Sequence, residues 1–334
     1  MQITESLSFD DVLLEPKYSE IESRSLVDTS VDLGKGIVLK CPIVSANMSD
    51  VTGPEMARVI GSIGGLAILH RFYSVDEQLN DYLNLIKDGS LSNHVALSVG
   101  VREEDKETVD KFLDNGCKII CIDVAHGHHK NCGKMTEYAS KRGALVIAGN
   151  VATAEGAEYL YKMGADVIKS GVGSGSICTT RVETGNGVPQ FTVISNIAQH
   201  RESKGLKFKL ISDGGIRKAG DVVKSLCFSD AIMIGNMLAG TNEAPGEIVN
   251  IDGIAYKQYR GSSTHKEKNI EGVKGLVPLK GPVLKIIEKL MDGLRSGCSY
   301  QGASNLRELK NNPQFVKITN SGLIESGAHD VIVK

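Results

Sequence analysis

The segment Gly171-Val-Gly-Ser-Gly-Ser-Ile-Cys-Thr-Thr-Arg181 carries the densest set of reactive groups in the chain. Gly171, Gly173 and Gly175 alternate with other residues, so backbone N–H and C=O groups there can converge on an ion or a phosphate. Cys178 closes the loop beside Ser176, Thr179, Thr180 and Arg181. A thiol among hydroxyls and a cation suits a thiolate nucleophile, whereas an average free cysteine is simply a small buried hydrophobe. The glycine spacing is GxGxG, which is not the GxGxxG dinucleotide fingerprint. Further small or polar clusters are Ser45-Ala-Asn-Met48, Asp123-Val-Ala-His-Gly-His128, Gly149-Asn150, Asp213-Gly-Gly215 and Gly235-Asn236. Glycine amides in the last two suit a phosphate, and Asp213 is placed to accept hydrogen bonds from ribose hydroxyls, although tight turns alone would also use such glycines. His126, His128 and His129 share one irregular loop with no obvious carboxylate partner set, which favours loop ordering or a contact to a bound ring over zinc.

Each cluster follows a short apolar run. The runs are Pro42–Ala46, Leu66–Leu69, Val95–Val99, Lys118–Asp123, Leu145–Ala148, Val167–Ser170, Lys209–Ser212 and Ala231–Ile234. Continuously apolar strands are buried on both faces, as in a parallel sheet. Helical patterns lie between them at Thr108–Asn115, Ala154–Met163, Val193–His200 and Ala219–Leu226. Eight strand–helix repeats predict an α/β fold, a (β/α)8 TIM barrel rather than an open doubly wound sheet, with its chemistry where strands end. After the eighth strand, residues 244–280 are polar, lysine-rich and without helical periodicity, so they read as a mobile flap inserted in a single domain spanning 1–334. The lysines of 266–274 read as a solvated face. A helix is expected over Pro282–Ser296, and the tail Phe315–Lys334 is expected to pack beside the barrel or on a neighbouring subunit.

Hydrophobic residues make up 41% of the 334 and charged residues 23%, which excludes a largely disordered chain. Lys+Arg 38 against Asp+Glu 40 leaves a net charge of -2, so no electrostatic case exists for nucleic acid or an anionic membrane as partner. The first residues, MQITESLSFDD, carry neither a basic stretch nor an apolar core, and no apolar run nears ~18 residues. The seven cysteines are odd in number and include no CxxC pair. Reduced thiols in a cytoplasmic location are therefore expected.

Taken in order, SFDDVLLEP, SANM, CIDVAHGH, AGNVAT, GVGSGSICTTR, SDGGIR, GDVVKSL, GNMLAGTNEAPGE and YRG resemble the IMP dehydrogenase/GMP reductase family along nearly the whole chain. The resemblance implies a barrel that forms homotetramers, a purine nucleoside monophosphate substrate, and a covalent bond between a cysteine and purine C2. It implies that Cys178 is this nucleophile and that Thr180 assists proton or leaving-group chemistry beside it. Ser45, Asn47 and Met48 would contact purine and ribose, with Asp213 as the ribose clamp. Ser176, Gly215, Gly235 and Asn236 match the phosphate site, and Tyr259 and Gly261 close over the nucleotide. Asp123, Asn150 and Gly171 correspond to nicotinamide-side contacts, while the carbonyls of Gly173, Gly175 and Cys178 match a potassium ion site.

Two branches of the family divide on what breaks the thioimidate. Dehydrogenases oxidise IMP with NAD and hydrolyse the intermediate to XMP, using what resembles an Arg-Tyr pair on a long flap to activate water. Reductases release ammonia from GMP and use NADPH to make IMP. Here residues 261–281 read GSSTHKEKNIEGVKGLVPLKG, with no Arg and no Tyr. The regulatory cystathionine-synthase-type (CBS) insert usual in dehydrogenases is absent after His70-Arg71-Phe72. The short flap, HRF and LSVGVREED resemble one branch of reductases, with Glu267 as the flap glutamate that pairs with the threonine. NEAPGE, YRG and the tail ESGAHDV resemble dehydrogenases, in which that tail supplies potassium ligands across a subunit interface. Hydrolysis at neutral pH needs a positioned base. Its absence favours NADPH-dependent reduction of GMP, with NAD-dependent oxidation of IMP as the alternative. A reaction on a modified or deoxy purine nucleotide, or a non-catalytic nucleotide-binding barrel, are the remaining readings.

Overall fold

The computed structural model describes residues 3–261 and 272–328. Every apolar run anticipated from the sequence forms a barrel strand: β1 (Ile43–Ser45), β2 (Leu66–Leu69), β3 (Val95–Val99), β4 (Ile119–Asp123), β5 (Leu145–Val151), β6 (Val167–Ser170), β7 (Lys209–Asp213) and β8 (Ala231–Ile234). All neighbours are parallel, and β8 pairs with β1, which closes the ring. No residue of β2, β3 or β8 reaches solvent. Barrel filling on one side and helices on the other explain why these strands show no alternation.

The surrounding helices are α1 (Pro54–Ser62), α2 (Val75–Ile86), α3 (Asp105–Asp114), α4 (Lys130–Lys141), α5 (Ala154–Lys162), the short α6 (Thr180–Thr184), α7 (Gln190–Ser203) and α8 (Ala219–Leu226). Their starts are encoded locally. Ser74 accepts the Glu77 N–H at 3.2 Å while its own N–H donates to the Glu77 carboxylate at 3.0 Å, a reciprocal cap that starts α2. Thr153 caps α5 and Pro54 opens α1. Among the described residues no helix is long and apolar enough to cross a membrane.

The flap carries no helix among its described residues. Most of its described part is regular structure, a three-stranded antiparallel sheet of β9 (Ile248–Ile251), β10 (Ile254–Arg260) and β11 (Lys274–Pro278). Asp252 and Gly253 turn the first hairpin with φ 51° and 79°. Two successive positive φ values match the twist of paired strands, and an Asp-Gly pair supplies them at little strain. The helix that follows, α9 (Val283–Tyr300), runs four residues beyond the expected Ser296. The start of the tail packs on its own chain: Phe315–Lys317 pairs antiparallel with Val12–Leu14, and the Phe315 ring meets Phe191 of α7 edge-on at 4.9 Å.

One buried ionic cluster ties this far side together. Asp230, at the start of β8, is only 8% exposed and accepts from Arg201 Nη1 at 2.7 Å, Lys310 Nζ at 2.5 Å and the Leu210 N–H at 2.7 Å. Burial works to raise its pKa, but Lys310 and Arg201 overcome this and hold it at about 2. A carboxylate depressed on folding stabilises above its unfolded pKa. That contribution, about 2 kcal/mol, should therefore be intact above about pH 4 and disappear as the pH falls toward 2. Asp230→Asn leaves two cations without their carboxylate, so urea unfolding at neutral pH should show a loss of about 3–5 kcal/mol. The variant's stability should also change less than the wild type's between pH 4 and 2.

Candidate active site

The loops at the C-terminal ends of the strands enclose one cleft, and most of the residues singled out above line it. Asn47 and Met48 follow β1, Asp123 ends β4, Asn150 lies in β5, and Asp213 ends β7. Gly171, Gly173, Gly175, Cys178 and Thr180 come from the loop after β6, and Tyr259 and Gly261 from the flap. Ser45 is the buried last residue of β1, and its Oγ has no hydrogen-bond partner. Gly235 sits behind the wall, where an added Cβ would come within 3.0 Å of the Tyr259 hydroxyl. Gly215 packs on Phe9 and Gln190, and the Asn236 carbonyl accepts from Lys280. Ser176 is exposed beside the cleft. Glu267 lies outside the described residues.

The loop after β6 is stitched to its neighbours rather than free. Asn150 Nδ2 donates to the Gly171 carbonyl at 2.8 Å and to Asp213 Oδ2 at 2.7 Å. Ser174 Oγ donates to the Asp213 carbonyl at 3.0 Å, and the Cys178 N–H to the Gly175 carbonyl at 3.1 Å. Gly171, at φ 139°, must be glycine here: a Cβ would stand 2.1 Å from the Asp213 carbonyl oxygen. Gln190 at the start of α7 supports the loop from below, its amide donating to the Ser170 carbonyl and Ser212 Oγ, both at 3.0 Å.

Cys178 is half-buried, while the other six cysteines are buried. Burial pushes Cys41, Cys117, Cys121, Cys132 and Cys227 up to about 12 and Cys298 to about 11, which leaves them inert. Cys178 Sγ lies 3.2 Å from Thr180 Oγ1, so a hydroxyl sits where a proton could pass to or from a group bonded to sulfur. Arg181 packs against Gly173 and Gly187 and donates to the Val188 carbonyl at 2.6 Å. His129 caps α4 and His128 packs on Tyr159 at 5.3 Å, so these two rings order the loop.

Beneath the cleft lies a feature the sequence reading passed over. Lys169 in β6 is 3% exposed, with its ammonium 2.9 Å from Asp123 Oδ1, 3.7 Å from Asp213 Oδ2 and 3.5 Å from Asn47 Oδ1. Burial alone would discharge it, yet the two carboxylates raise its pKa above the usual lysine range. Burial also works to raise Asp123, but Lys169 and Arg71 bring it below the ordinary carboxylate value. At Asp213 burial prevails and the pKa lies above that value, despite Lys169 and the Asn150 amide. The two acids are thus shifted in opposite directions, Asp123 by its cations and Asp213 by its burial. Arg71 was also passed over; its guanidinium lines the cleft 3.8 Å from Asp123 Oδ2 and stacks on Phe72. A charged residue inside an otherwise apolar strand is the signal by which Lys169 could have been found.

Residues 6–329 match the family model described as the IMP dehydrogenase / GMP reductase domain. An inosine-5'-monophosphate dehydrogenase of Nitrosopumilus maritimus is 31% identical, with 100% of each chain covered. A GMP reductase of Leishmania donovani is 30% identical, with 98% of each covered. A solved structure of a Trypanosoma brucei GMP reductase, a cysteine-to-alanine variant in complex with guanosine 5'-monophosphate, superposes with a TM-score of 0.89 at 29% identity, covering 99% of both chains. The chain belongs to the IMP dehydrogenase/GMP reductase family and is an oxidoreductase acting on purine nucleotides. Because six of its thiols are buried, brief alkylation of the native protein with iodoacetamide should label Cys178 alone, as read by peptide mass mapping. Equal labelling of Cys121 or Cys132 would contradict the burial pattern.

Proposed function

We propose that this family member is a GMP reductase that converts GMP to IMP and ammonia. The observation that carries the reading is the flap sequence 261–281, which contains no arginine and no tyrosine to activate water. Without such a base a thioimidate on Cys178 survives long enough to be reduced. The superposition on a GMP-bound reductase supports the same reading.

In this reading the Cys178 thiolate adds to C2 of the purine, the C2–N bond breaks, and the exocyclic amine leaves as ammonia after taking up a proton. The Thr180 hydroxyl, within hydrogen-bonding distance of the sulfur, holds that proton path, with Glu267 as its flap partner. Reduced nicotinamide, when bound, supplies a hydride to C2; NADPH is the proposed form. Addition of the hydride expels the thiolate and yields IMP. Asp213 accepts the ribose hydroxyls, and Ser45, Asn47 and Met48 contact the sugar and base. Ser176, Gly215, Gly235 and Asn236 hold the phosphate, and Tyr259 and Gly261 close the wall.

The nicotinamide side is formed by Asp123, Asn150 and Gly171. Asn150 Oδ1 is buried there with no hydrogen-bond partner among the described residues, an acceptor suited to a carboxamide N–H. A potassium ion fits the carbonyls of Gly173, Gly175 and Cys178, since hard oxygen ligands suit such a cation and the Gly175 carbonyl keeps a lone pair beyond its bond to the Cys178 N–H. The proposed enzyme is a cytoplasmic homotetramer.

A second reading, oxidation of IMP to XMP with NAD, is favoured by relatives named as dehydrogenases, one of them from Cryptosporidium parvum at 35% identity. Nicotinamide absorbance in potassium buffer separates the two. Absorbance should fall with GMP plus NADPH, release ammonia, and stay flat in Cys178→Ala. A rise with IMP plus NAD, and no fall with GMP, would make the enzyme a dehydrogenase with a water activator elsewhere.

A further inference from the structure

Among the contacts of the described residues that tie the flap sheet to the barrel, two lie beside the cleft. On one side, Arg260 at the end of β10 forks onto Asp50, with Nε 2.7 Å from Oδ2 and Nη2 2.5 Å from Oδ1. On the other, the Val273 N–H donates to the Ile177 carbonyl at 3.1 Å, one residue before Cys178, while the Gly261 N–H donates to the Val273 carbonyl at 3.0 Å.

Asp50 belongs to the turn after β1. That turn is closed by the Val51 and Thr52 N–H groups on the Met48 carbonyl and by Thr52 Oγ1 on the Ala46 carbonyl at 2.6 Å. The Asp50 carboxylate is therefore rigidly attached to the wall that carries Asn47 and Met48. It is 2% exposed, and among the described residues it also accepts from Ser49 Oγ at 3.5 Å. Tyr259 and Gly261, the residues on either side of Arg260, line the opposite wall, where the Tyr259 hydroxyl stands 3.9 Å from Met48 Sδ. A two-pronged guanidinium–carboxylate pair fixes both distance and orientation, which a single contact does not.

We propose that Arg260 is a positioning residue whose ion pair with Asp50 locks the flap sheet against the purine-contacting loop. The lock holds Tyr259 and Gly261 where they complete the pocket, and holds Val273 on the loop that presents Cys178. The consequence for nucleotide binding rests on the proposed function; the lock itself does not. Removing the fork leaves Asp50 buried and unpaired, so the two walls separate.

The test compares the wild type with Arg260→Gln and Arg260→Lys. Hydrogen–deuterium exchange of the backbone over 254–261 and 272–278 reports the lock without any ligand. Protection of Cys178 from iodoacetamide, titrated with GMP and separately with IMP, reports its consequence. Arg260→Gln should exchange faster in both segments and need roughly tenfold or more nucleotide for half-protection. Arg260→Lys, which keeps the charge without the fork, should fall between. Exchange unchanged in Arg260→Gln, or in Arg260→Lys if the glutamine variant does not fold, overturns the lock. Faster exchange with unchanged protection overturns the positioning role. If neither nucleotide protects the wild type, the nucleotide reading fails, and the exchange result alone decides the lock.

Discussion

The mouth of this barrel is organised by one ammonium group shared between two carboxylates. Lys169 reaches Asp123 and Asp213 from a strand that lies between theirs, and all three side chains come from the barrel wall. A charge buried this deeply is tolerable only with partners close enough to repay its lost hydration, so the strand ends must stay in fixed register. Gly149 shows how tightly that register is drawn: opposite Lys169 in β5, an added Cβ would stand 2.2 Å from the Lys169 carbonyl oxygen. Asn150 then extends the network to Gly171 and so to the loop carrying Cys178. The position of Cys178 is thus tied to the ionic network below it as well as to the loop that holds it.

This arrangement assigns different tasks to similar groups. Asp123, pulled down by Lys169 and Arg71, stays an anion on the side proposed for nicotinamide. Asp213, its pKa raised by burial, lies on the side proposed for ribose, where a carboxyl has hydroxyls to bond. Separating two carboxylates by environment gives one cleft two distinct faces, with Cys178 and Thr180 lining it as well.

The barrel was legible in the sequence because strands buried on both faces keep unbroken apolar runs, and because a barrel's chemistry gathers where those runs end. Cys178 and Asp213 stand at such ends, and the structure places both in the cleft. Lys169 was not legible, since its partners are remote in sequence, Asp123 being 46 residues away. Parallel pairing of the successive strands β4, β5, β6 and β7 brings them together. Arg181 is anchored in a way its place in the sequence does not show, by a bond to the Val188 carbonyl. The strands of the flap leave no trace in helical periodicity. Its Asn250-Ile-Asp-Gly-Ile-Ala-Tyr256 stretch instead carries an Asp-Gly hairpin turn between β-branched residues, a signal of period two.

The central claim is covalent chemistry between Cys178 and a purine nucleotide, and the most direct measurement is mass. Protein turning over GMP with NADPH is quenched in acid within the first turnovers, digested, and the Cys178 peptide weighed. A fraction of that peptide should be heavier by GMP less ammonia, absent in Cys178→Ala and depleted when excess NADPH is allowed to finish the reaction. Steady turnover with no adduct under any quench, or an adduct on a different cysteine, would contradict it.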